Sequence, residues 1–142
     1  MKLPFNYQPT WSQNKPQIDH IFPQSELSGI KVSNPETGKM NVMKYKRMER
    51  DQISNLMLLT AHENGAANKT DILPKDWFAD KNPEYLELHL IPTDKEVWEL
   101  ERFEDFIEER KKLLITKFAD IIYTPRPMID GVNKQQDLND KI

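Results

Sequence analysis

Asp19 and His20 stand side by side in a short apolar run that Pro23-Gln24-Ser25 closes. A second polar group follows in Asn55-Leu56-Met57-Leu58-Leu59-Thr60-Ala61-His62-Glu63-Asn64. These residue types suit hydrolysis of a phosphodiester. That reaction needs an activated water, relief of charge at the phosphate and a stabilised leaving oxygen. A neutral imidazole such as that of His20 takes a proton well, because the ordinary pKa of the group is near ~6.5. A hard divalent cation such as Mg²⁺ prefers oxygen ligands, and the carboxylate of Asp19 and an asparagine amide oxygen offer them. Neighbouring residues of a strand point to opposite faces. Asp19 and His20 therefore converge only if the strand ends or bends beside them, and Pro23 is placed for such an ending.

The elements that would hold these groups are short. Gln17–Phe22 reads as one strand, since Ile18, Ile21 and Phe22 favour extended backbone. Ile53–Leu59 reads as a second, buried strand, and Thr60 to Asn68 as a short helix with Thr60 near its N-cap. Residues 24–51 form a long connection with a strong turn signal at Asn34-Pro35-Glu36-Thr37-Gly38. Pro74 and Pro83 mark the starts of helical pieces. Thr93-Asp94-Lys95-Glu96 matches a capping box. A helical stripe at spacings of three and four follows it: Val97, Trp98, Phe103, Phe106, Ile107, Leu113, Leu114, Phe118, Ile121 and Ile122. Arg110, Lys111 and Lys112 read as its solvated face. Residues 1–16 read as an arm anchored by Phe5, Tyr7 and Trp11, residues 17–122 as the domain, and residues 123–142 as a polar tail.

Composition sets the outer limits. A chain of 142 residues is one domain's worth, and with no cysteine it forms neither a disulfide nor a thiolate zinc site. There is no apolar stretch of membrane-spanning length and no apolar run after Met1, so a cytoplasmic setting is expected. The net charge of −3 runs against a uniformly basic surface for nucleic acid. The charge is uneven, however: Lys39, Lys44, Lys46, Arg47 and Arg50 fall close together between the two motifs. Such a run reads equally as a solvated face or as a contact to phosphates.

The paired motifs resemble the HNH nucleases. Asp19-His20-Ile21-Phe22-Pro23-Gln24-Ser25, with Asn55 and Asn64 nine residues apart, is similar to the HNH domain of CRISPR effector nucleases. The nearer likeness is to the C-terminal HNH domain of GmrSD-type restriction and phage-defence proteins. It rests on Asn55-Leu56-Met57-Leu58-Leu59, Asn64, Asn68-Lys69, His89-Leu90-Ile91-Pro92 and Phe106-Ile107-Glu108-Glu109-Arg110, and it covers roughly residues 15–122. The resemblance implies an α+β fold with a ββα-metal core, extended by C-terminal helices and mostly helical overall. It implies a metal-dependent endonuclease that hydrolyses DNA. His20 would be the general base and Asp19 and Asn64 the metal ligands. Asn55 would serve the catalytic centre by holding the loop and the histidine in place. Mg²⁺, with Mn²⁺ as substitute, would be the cofactor. Position 64 is Asn where the family's name has His, which makes for a weakly charged metal site.

Within that reading Lys44, Lys46, Arg47 and Lys69 are candidates for substrate contact. His62 is a rival ligand, but on a helix it points away from Asn64. Asn68 lies one turn beyond Asn64. DNA is the expected partner, an upstream NTP-sensing domain or partner subunit is another, and a membrane is not expected. Two rival readings stay open: a nucleic-acid-binding module without catalysis, and a protein-interaction module of a larger defence complex.

Overall fold

The computed structural model describes residues 16–60, 63 and 69–123, and the chain in these parts is an α+β fold. The expectations for the arm, for His62, Asn64 and Asn68, and for the tail beyond residue 123 lie outside the described residues.

Two antiparallel strand pairs organise the first half. Strand β1, Gln17–His20, pairs with β4, Leu56–Leu59, in a register that sets Asp19 opposite Met57 and His20 opposite Leu56. Strands β2, Lys31–Ser33, and β3, Met40–Met43, form a separate hairpin with a register shift between Val32 and Ser33. β1 stops at His20, and the chain bends through Ile21 and Phe22 before Pro23. The helix Gln24–Gly29 (α1) follows, and the short helix Arg47–Arg50 (α2) succeeds the hairpin. The long connection expected over 24–51 is thus filled by a helix, a hairpin and a helical turn.

The second motif differs from its expected shape. Ile53–Asn55 is a 3-10 turn, and the strand begins only at Leu56. Proline starts the helices Pro74–Trp77 and Pro83–Leu88, and the Asn82 side chain caps the latter at the Tyr85 N–H. At its C-terminal end Leu90 takes a left-handed φ of 55°, while the Ile91 N–H closes back on the Leu86 carbonyl. The helix expected from Asp94 onwards is also interrupted. Asp94 caps the Glu96 N–H, but the 3-10 turns Lys95–Trp98 and Leu100–Arg102 precede the long helix Phe103–Lys117. A final helix runs Ala119–Tyr123. Among the described residues no helix is long and apolar enough to cross a membrane.

The core lies between the bend that follows β1 and the long helix Phe103–Lys117. Phe22 packs edge-on against Phe103 and Phe106, with ring centres 5.2 and 5.1 Å apart, and Tyr45 meets Phe103 at 4.8 Å. Leu27, Leu59, Val97, Trp77 and Trp98 complete the buried set. The apolar stripe is buried only through Ile107. Leu113 and Ile121 are exposed, because nothing among the described elements covers that end of the stripe.

Candidate functional site

His20 is presented by the last residue of β1, where the strand gives way to a bend. Its Nε2 lies 2.8 Å from Oδ1 of Asp51, the residue that closes α2. Gln24, in the first turn of α1, donates to the same oxygen, and Arg47 Nε donates to Oδ2 at 3.2 Å. The Gln24 amide nitrogen is 3.2 Å from His20 Nε2, since both donors converge on one acceptor. A carboxylate only accepts. Donating from Nε2, a neutral His20 has Nδ1 as its acceptor nitrogen, and among the described residues nothing donates to it. The hydrogen bond from His20, with help from Gln24 and Arg47 against some burial, holds the Asp51 carboxyl below the usual carboxylate range.

Asp19 faces the other way, into the protein, and is nearly buried. Its Oδ2 makes no hydrogen bond, yet Lys69 Nζ stands 3.4 Å from it. Lys69 is completely buried and donates to the carbonyls of His20, Ile21 and Ile72 at 3.1 to 3.3 Å. Burial pushes its ammonium below the ordinary lysine pKa, and the charge of Asp19 opposes that shift. This corrects the expected role of Lys69. Instead of reaching outward to a phosphate, it ties the turn at residues 69–71 to the end of β1. The reason is that the bend after β1 leaves carbonyls without sheet partners, and an ammonium with three donors satisfies them.

Asn55 is fully buried and acts as a clasp. Its Oδ1 accepts from the Phe22 N–H at 2.9 Å, and its Nδ2 donates to the carbonyls of Phe22 and Arg50 at 3.2 and 2.8 Å. Its own carbonyl accepts from the Ile21 N–H at 2.8 Å. One side chain thus locks the bend that follows His20 to the segment that delivers Asp51. Asn55 touches backbone and is closed off from solvent.

Arg110, expected on a solvated face, is buried as well. Its Nη1 donates to the carbonyls of Ile53, Ser54 and Leu56, and its Nη2 to that of His89. Burial lowers its pKa to about 10, so it stays charged at neutral pH. The amphipathic pattern hid this residue because a charge on a helix is ordinarily counted as solvent-facing. Asp51 was also missed. It lies 31 residues from His20, and the local hint was its i, i+4 spacing from Arg47.

The remaining basic candidates are exposed. Arg47 is 86% exposed while bound to Asp51, and Lys46 lies on the surface. Lys44 is shared with Glu104 at 3.5 Å and sits 5.1 Å from the ring of Tyr45. At the other edge, Thr60 and Glu63 cap each other reciprocally, as a capping box requires. The second Glu63 oxygen accepts from the Tyr85 hydroxyl at 2.7 Å. The residue before Asn64 is therefore anchored from two sides.

Of the two expected metal ligands only Asp19 lies among the described residues. Its buried Oδ2 makes no hydrogen bond but faces the Lys69 ammonium at 3.4 Å. Among the described residues no cluster of three or more His, Cys, Asp or Glu side chains could hold a metal.

No curated protein and no solved structure matches the chain. A family model described as the C-terminal domain of GmrSD restriction endonucleases matches residues 2–117. A strand-end histidine braced by a carboxylate, beside a clasped second motif, is thus set in a chain that belongs to the GmrSD restriction endonuclease C-terminal domain family.

Proposed function

We propose that this chain is an HNH-type endonuclease domain that hydrolyses DNA phosphodiester bonds in restriction or phage defence. The observation that carries the reading is the placement of His20. It ends a strand, and its Nε2 is held by the Asp51 carboxylate, which leaves the other ring nitrogen to take a proton. His20 accepts the proton of the attacking water on its free nitrogen. Asp51 stabilises the imidazolium that results, and Asn55 and Lys69 keep the bend from shifting. Asp19 and Asn64 would hold Mg²⁺ or Mn²⁺, which supplies charge relief at the phosphate when bound. Arg47 and Lys46, exposed beside the site, suit contact with the substrate backbone.

The test is plasmid nicking by the purified chain with Mg²⁺ or Mn²⁺, on modified and unmodified DNA. His20→Ala and chelation with EDTA should each reduce cutting by roughly 10²-fold or more, as expected for loss of a general base or of the cation. Activity that survives both changes would sink the reading. No cutting and no metal binding would leave a nucleic-acid-binding module.

A further inference from the structure

Among the described residues the hairpin β2–β3 takes little part in packing. Lys31, Val32 and Ser33 are all exposed, as are Met40, Asn41 and Met43, and only Val42 is partly covered. Val32, Met40 and Met43 show 36%, 66% and 45% of their surface. A two-stranded ribbon exposed on both faces is marginal by itself in water. This one is nonetheless well defined. Asn34 closes the turn through its backbone to Lys39 at 2.7 Å and through its side chain to the Glu36 N–H at 2.8 Å. Gly38 provides the left-handed φ of 71° that the turn needs.

Its attachment is equally specific. The ribbon leaves the molecule after α1, which carries Gln24, and returns before α2, which carries Arg47. The Lys44 N–H closes its base on the Ile30 carbonyl at 2.9 Å. Gln24 and Arg47 both bind Asp51, the partner of His20. The ribbon therefore grows from the rim of the candidate site.

Charge gives the partner. Residues 31–50 hold six basic residues against two acidic ones, a surplus of four in a chain whose net charge is −3. Among the described residues Lys31 and Lys39 form no ion pair. A two-stranded ribbon is also one of the two protein shapes that the major groove of duplex DNA admits. We propose that the β2–β3 ribbon is a duplex-DNA grip that lies in the major groove beside the site, with Lys31 and Lys39 on the flanking phosphates. The proposal rests on the reading of the chain as acting on DNA, and it assigns the grip to residues outside the catalytic group.

The experiment is fluorescence anisotropy of the full chain in EDTA, where nothing is cut. A duplex and the single strand of the same sequence are titrated over a range of KCl. Lys31→Glu with Lys39→Glu should weaken duplex binding by about tenfold and lower the salt slope by about two. Single-strand binding should change far less. Glu36→Lys, a surface change in the turn, should tighten duplex binding, which guards against a loss caused by misfolding. Unchanged duplex affinity and slope in the lysine variant would overturn the proposal. So would an equal loss on single strands, or no duplex binding by the wild type. If His20 proves irrelevant to cutting while ribbon-dependent duplex binding persists, the nuclease reading falls and the grip stands. His20-dependent nicking that the lysine variant leaves unaltered, with unaltered binding, gives the reverse.

Discussion

Asn55 shows how a single side chain can serve a site it never touches. It satisfies one buried N–H and two carbonyls, and these belong to the segments that deliver His20 and Asp51. Asn55→Ala leaves the Phe22 N–H without a partner and should cost about 3 kcal/mol, since each buried polar group left unpaired costs ~1–3 kcal/mol. Asn55→Asp keeps the acceptor but loses the donor, so it too should destabilise. Urea unfolding measures both, and an Asn55→Ala stability equal to that of wild type would contradict the clasp. The family resemblance implies this holding role, and the local sequence alone does not single it out. Asp51 and the burial of Lys69 were not legible. Each depends on the chain returning after 31 or 49 residues to the same strand end, and no local pattern encodes that return.

The elements explain which boundaries could be read. Pro23, Pro74 and Pro83 act locally, by removing an N–H and fixing φ, and the structure breaks or starts where they stand. The 3-10 turns at Ile53–Asn55 and Lys95–Trp98 could not be separated from strand or α-helix in the sequence. Over three or four residues the apolar spacing is compatible with any of them, and tertiary packing decides. The long helix carries Arg110 into the carbonyls of the turn that precedes β4. Arg110→Lys keeps the charge but cannot span several carbonyls with one planar fork. It should cost about 2–3 kcal/mol, by analogy with the loss of buried hydrogen bonds to a charged group. Differential scanning calorimetry should then show a lower Tm, with the transition still cooperative. A Tm unchanged from wild type would show that the brace is dispensable.

At the scale of the molecule, acid sensitivity has an identifiable internal source. His89 is buried against Tyr85 with its Nε2 unpaired, and burial pushes its pKa down to about 4, aided by Arg110 and opposed by Glu63. The folded chain thus resists a proton that the unfolded chain binds near pH 6.5. The contribution is fully present above pH 6.5 and is lost as pH falls towards 4. A difference of that size is worth about 3 kcal/mol. His89→Phe, which keeps a ring beside Tyr85, should flatten the dependence of stability on pH in that window by this amount. Unfolding curves at pH 7, 5.5 and 4 with the same slope in both proteins would refute the assignment.

The Arg110 brace also bears on timing. A chain is synthesised from its N-terminus, and the strand end with His20, the clasp and the ribbon all leave the ribosome well before residue 110. Until that arginine emerges, the turn that precedes β4 lacks the guanidinium that gathers its carbonyls. The segment that carries Asn55 therefore completes its hydrogen bonds only once residue 110 has been made.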